Sequence, residues 1–339
     1  MPPFELDDEV GWRDSTDPVC DPFLGYTTAG GLPPSGVDLW ADERGVFLLI
    51  GTYHSIFAFP DAPREFGTAL HFNDGTGWTT WYTTETHDGV GDETHITGIP
   101  SGPVFLWESL CPLRRWDSPT ETTCVLPIDI VFLNELHMVT RDEGWALING
   151  DIGWIQDGQF EALYADRSGA EIWGNADELL VFHDDTLYEG AVESDLVPIT
   201  TTPDGLTGTM WARGFTDVWV VSDAGATDGD AGTPGRELLH FDGADWTRQP
   251  LGEGADAGSV IDIWGTDSAL YVALKHGLYR WTPTLGVETL LEADVTIRAM
   301  HGDEVSGEVY LAFSDHDFLY YDCGTTMVVV YDGTSFRRF

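Results

Sequence analysis

From Ile261 to Trp281 the chain reads IDIWGTDSALYVALKHGLYRW, three short bursts in which apolar and polar positions alternate. Period-two alternation over a few residues is the pattern of a strand that buries one face. The first burst ends at Trp264-Gly265, a polar turn follows, and His276-Gly277 parts the second burst from the third. The opening recurs in AEIWGNADELLVF around Trp173 and in GTMWARGFTDVWVV around Trp211. That recurrence predicts a repeat architecture.

Traced along the chain, the unit occurs seven times, anchored at Trp40, Thr97, His137, Trp173, Trp211, Trp264 and His301. The intervals are 57, 40, 36, 38, 53 and 37 residues. A spacing near 40 residues with about four short strands per unit is the signature of propeller blades. A blade cannot bury both faces alone, and stacking on its neighbours supplies the core. The expected fold is all-β, a seven-bladed β-propeller of four-stranded antiparallel blades over residues 36–339, behind an irregular arm, 1–35. Six or eight blades would require re-dividing the second or fourth unit. Asp-Gly pairs at 74–75, 157–158, 242–243 and 332–333 sit between apolar runs and read as hairpin turns. Trp78, Phe160, Trp246 and Phe336 follow them as blade-packing aromatics.

The order strand, Trp-Gly, turn, D-V-W-x-V, strand, L-H-F-D-G-x-x-W is clearest at Met210–Trp246 and Ile263–Trp281. It resembles the secreted β-propeller repeat proteins of bacteria, many of them lipoproteins or surface proteins, over roughly residues 37–339. The resemblance implies a fold and no single activity, since propellers host binding, lyase, hydrolase and scaffold roles. A lipoprotein carries its lipidated cysteine at the mature start, and Cys20 lies too far in for that.

Charge narrows the partners. Acids number 58 against 15 bases, Lys275 is the only lysine, and the net charge is −43. Such a field repels nucleic-acid phosphate and anionic head groups, favours cations and solubility, and points to a monomer. No 18-residue apolar run exists to insert in a membrane. The start, MPPFELDDEV, lacks the basic and apolar regions of a signal peptide, so the chain reads as cytosolic or as a mature form with an added methionine. Four cysteines, one local pair (Cys111, Cys124) and one end-to-end pair (Cys20, Cys323), suggest two disulfides in an oxidising compartment. Four reduced, buried cysteines are the alternative. A Cys20–Cys323 bridge would fasten the ring in place of strand exchange, worth about 4–5 kcal/mol in the chain-entropy model.

Three stretches read as insertions between second and third strands: 51–69, Cys111–Cys124 and 222–237. Loops at one blade position emerge on one face, where function concentrates. Arg114, Arg115 and Trp116, with Tyr53 and His54 from the adjacent blade, suit a sugar ring, a carboxylate or an acidic partner strand. The alternative is that both arginines pair with the protein's own acids and Trp116 covers a blade edge. Asp223, Asp228 and Asp230 offer hard oxygens on a glycine-rich loop, for which calcium is the natural ion, or form a plain acidic surface loop. The run THDGVGDETH, 86–95, holds His87, Asp88, Asp92, Glu93 and His95 at a spacing that fits no metal template. His71 and His240 recur in the repeat and read as structural, whereas His137 and His301 stand at anchor positions near the inner strands.

For catalysis the sequence offers no G-x-S-x-G, S-x-x-K or H-E-x-x-H, and the turns lack the serine of a sialidase box. The function expected is non-enzymatic recognition of an extracellular glycan or protein by a secreted or surface-exposed module, through the face bearing the insertions. A carbohydrate-active enzyme, glycoside hydrolase or lyase, is the first alternative and would need converging carboxylates. A structural subunit of an extracellular assembly is the second.

Overall fold

Alternation leaves each strand with two faces that both need cover, and the chain meets that need by stacking sheets around an axis. The structure is a computed structural model, and it describes residues 4–5, 34–54, 65–83, 95–108, 111–126, 133–222, 236–251, 259–292, 296–314 and 326–339. It forms seven antiparallel sheets, each made of four consecutive strands in chain order: a seven-bladed β-propeller. The first strands of the blades are Pro34–Asp42, Ile96–Gly98, Leu133–Met138, Glu171–Gly174, Gly208–Gly214, Val260–Gly265 and Thr296–Gly302. Each touches the first strand of the blade on either side, so these seven line the axis.

Period two distributes the core. In the second blade Val104 and Leu106 join Trp40, Phe47 and Leu49 of the first blade, while Phe105 and Trp107 join Leu133, Ala146 and Ile148 of the third. A cluster of this kind fills every interface of the ring, including that of the seventh blade with the first, where Tyr310, Ala312 and Val330 meet Leu39, Val46 and Leu48. Phe339 closes that seam, edge-on to Trp78 at 6.4 Å and to Tyr310 at 5.2 Å. The seventh blade is built from contiguous chain, 296–338, without strand exchange.

The anchor tryptophans need glycine beside them. A Cβ at Gly98 would lie 2.5 Å from the Trp40 ring, at Gly265 2.9 Å from Trp211, and at Gly302 2.3 Å from Trp264. Each tryptophan thus lies flat on the next blade's first strand, where only hydrogen leaves room. The Asp-Gly turns join third to fourth strands; Asp157 and Gly158 both have positive φ, 51° and 74°, in the two-residue turn. In the longer ones Asp74, Asp242 and Asp332 accept backbone N–H groups two residues ahead.

Three details differ from the sequence reading. Cys111–Cys124 is not an insertion: it is the third and fourth strands of the second blade, Cys111–Ser118 and Glu121–Cys124. VLPIDIVFL, 125–133, therefore leads into the third blade instead of completing the second. Within the N-terminal arm, Phe4–Glu5 forms a strand, parallel to Gly286–Glu292 with Phe4 opposite Leu291, and gives the sixth blade a fifth strand.

Gly302→Ala should lower the unfolding free energy by about 1–3 kcal/mol, the usual penalty of overpacking. A thermal or urea midpoint equal to wild type would mean that the Trp264 seat is not a tight contact.

Candidate functional site

Strand direction sorts the connections. Because the strands of a blade alternate, the links from second to third strand and from one blade to the next all leave by one face. The first halves of the inner strands begin at that face, and there they enclose an axial cavity of about 470 Å³. Its lining includes Asp38 and Leu39, His95 and Thr97, Asn134 and Glu135, Ile261 and Asp262, Arg298 and His301, with the buried Phe105 and Trp107 behind them.

The acids recur two residues before the anchor: Asp38 before Trp40, Glu135 before His137, Glu171 before Trp173 and Asp262 before Trp264. Inner strands of neighbouring blades do not pair with one another, so their axial backbone groups need other partners. Asp38 supplies one: Ile96 N–H of the second blade donates to its Oδ2 at 2.9 Å, and Leu39 N–H to its Oδ1 at 2.8 Å. Glu135 repeats the stitch from the third blade to the fourth, where Ile172 N–H donates to its Oε2 at 2.6 Å. Asp262 accepts from Ile263 N–H at 2.7 Å through Oδ1. Glu135 Oε1 and Asp262 Oδ2 accept no hydrogen bond among the described residues.

Enclosure and like charge act together on these groups. Removal from bulk water, and then the charge of Glu171, raise the Glu135 carboxyl well above the ordinary range, against the opposing pull of Ile172 N–H. Burial likewise raises Asp262, with Asp38 and Glu171 adding to it. Each carboxyl meets water only along the axis and has protein on every other side. Burial lowers His137 and His301 to about 4, so both are neutral at neutral pH. His301 lies 5.9 Å from Trp40 across the closing seam. His95, at the end of the 86–95 run, places Nδ1 3.6 Å from Asp38 Oδ2.

The residues proposed from sequence are distributed differently. Arg114, Arg115 and Trp116 occupy one strand, so neighbours point to opposite sides. Arg115 is buried toward the third blade, donating to Asp117 Oδ2 at 3.2 Å, to Arg141 O at 3.2 Å and to Asp142. Trp116 is 4% exposed and packs toward the first blade, 5.0 Å from Tyr82. The Arg114 guanidinium sits 5.4 Å from the centre of that tyrosine ring. Arg115 and Trp116 thus join blades, and none of the three lines the cavity. Tyr53 and His54 end the second strand of the first blade, at the cavity face, with their side chains outside the described residues. Asp223, Asp228, Asp230, Cys20 and Cys323 also lie outside them, as do His87, Asp88, Asp92 and Glu93. His71 and His240 serve packing: His71 is buried with Nδ1 3.1 Å from Thr80 Oγ1, and His240 stacks on Trp219 at 3.9 Å. The axial acids were missed, although their place two residues before the anchor was a readable signal.

Because Glu135 and Asp262 titrate above their ordinary values, the folded chain keeps protons that the unfolded chain has already released. Stability from these sites therefore falls as pH rises through that window. Glu135→Gln and Asp262→Asn should match wild type near about pH 4 and melt at higher temperature than wild type near about pH 8. A gap that does not widen with pH would rule out the raised titration.

No protein-family model and no curated protein matches the sequence. Solved structures do. The extracellular domain of a hybrid two-component system from B. thetaiotaomicron aligns at TM-score 0.53 and 13% identity, over 84% of this chain and 39% of that one. PorZ, a surface component of the type-IX secretion system of Porphyromonas gingivalis, aligns at 0.52 and 13%, over 91% and 46%. YCF48 bound to D1 peptide aligns at 0.53 and 11%, over 84% and 92%. The chain spans less than half the length of the first two. At such identities the likeness is one of fold, and the fold it supports is the β-propeller.

Proposed function

We propose that this chain is a secreted or cell-surface, non-enzymatic recognition module that holds an extracellular glycan or protein partner at the face onto which the axial cavity opens. The observation that carries this reading is the cavity itself. Its volume of about 470 Å³ falls in the range of ligand sites. Its lining also holds enclosed carboxyls whose ionisation opposes folding. Enclosed carboxyls with raised titration are candidates for a functional site. Tyr53 and His54 stand at the same face and belong to the proposed rim, whereas Arg115 and Trp116 are buried between blades and Arg114 lies over Tyr82. Asp223, Asp228 and Asp230, outside the described residues, are kept as candidate ligands of a calcium ion.

The extracellular setting is supported by the acidic surface and by a disulfide proposed at Cys124. Two of the structural neighbours carry "extracellular" or "surface" in their descriptions.

Glycoside hydrolysis is a second reading, favoured by Glu135 and Asp262 approaching from opposite sides of the ring. It needs one acid and one ionised carboxylate. Here burial raises both carboxyls and a backbone N–H occupies one oxygen of each, which favours binding over turnover.

Two measurements test these assignments. On a panel of polysaccharides and surface proteins, wild type should be retained without product release, and Asn134→Trp, which fills the cavity from an exposed bulge position, should weaken retention by about tenfold or more. Released sugar would turn the assignment to hydrolysis, and undiminished retention would move the site off the axis. Non-reducing peptide mapping should recover Cys124 cross-linked to Cys111, Cys20 or Cys323; a free Cys124 thiol would undermine the secreted setting.

A further inference from the structure

We infer that the axial cavity is a receptor for a cationic side chain, the guanidinium or ammonium group of an arginine or lysine presented by a partner protein. This rests on the recognition reading and names the chemistry of its central contact. Three cavity-lining carboxyls, Asp38, Glu135 and Asp262, come from the first, third and sixth blades, and Arg298 of the seventh is the one arginine or lysine in the lining among the described residues. Their bonding is asymmetric. One oxygen of Glu135 and one of Asp262 are held by backbone N–H groups, which fixes the orientation of each carboxyl. The other oxygen of each has no donor among the described residues, although it borders a cavity with room for one.

A neutral sugar would satisfy those acceptors through its hydroxyls, but it would leave the mutual repulsion of the acids untouched. A cation answers both, because it donates hydrogen bonds and cancels the like charge that opposes ionisation. The long-range field agrees. A chain of net charge −43 draws a basic segment toward it, and the cavity lies at the centre of one face, where a single projecting side chain can enter.

The probe is a fluorescent tetra-arginine peptide, with its uncharged tetra-citrulline counterpart, titrated against the full chain at about 150 mM salt so that diffuse attraction is screened. Wild type should bind the arginine peptide and not the citrulline peptide. Glu135→Gln combined with Asp262→Asn should weaken binding by about tenfold or more. Asp177→Asn combined with Asp184→Asn removes the same formal charge from exposed turns and should leave affinity within about twofold. Equal losses in the two double variants would reduce the effect to net charge and overturn the assignment. Equal binding of the citrulline peptide would overturn it in favour of a neutral polar ligand, and displacement by spermidine at matched concentration would overturn the side-chain source. Failure of the arginine peptide, beside a panel ligand that Asn134→Trp still expels, would sink the cation assignment and leave the recognition reading standing.

Discussion

Each blade satisfies the hydrogen-bonding groups between its own strands and then has nothing left to offer its neighbour except side chains. The whole ring depends on that constraint. Sheets that cannot pair edge to edge must lock face to face, so every interface is a sorted set of alternate residues, such as Phe105 to one side and Leu106 to the other. It is also why tryptophan and glycine occur together. A flat ring laid on a strand gives a large contact area at a separation that only a residue without Cβ allows, as at Trp264 on Gly302.

The same constraint creates the site. Around the axis the inner strands present backbone groups that no neighbouring strand can satisfy, and Asp38 and Glu135 reach from one blade to the next to do so. A carboxyl recruited as a stitch uses one oxygen and brings another along with its charge. The structural need for acceptors on the inner strands therefore stocks the centre of the molecule with reactive acids.

The parts of this architecture governed by local pattern were readable in the chain. The anchors, the alternation and the Asp-Gly turns are determined within a few residues, and they located all seven blades. The second blade misled because its outer hairpin is polar: Pro112, Arg114, Arg115 and Asp117 interrupt the alternation. Arg115 is tolerable in a strand because Asp142 and the Arg141 carbonyl, on the next blade, join Asp117 in meeting it there. A partner that distant leaves no trace in a local window. The axial acids were hidden for a related reason. Taken singly, Asp38 or Asp262 is the ordinary polar member of an alternating pair, and only ring closure turns such positions inward together.

The strand Phe4–Glu5 has a bearing on how the molecule comes into being. Its pairing partners, Leu291 and Glu292, lie in the sixth blade, almost a full chain length away. During synthesis, Phe4 and Glu5 have nothing to pair with until most of the propeller has followed. Assembly must then proceed with that strand still unpaired, and one of the last links made ties together two segments that nearly the whole ring separates.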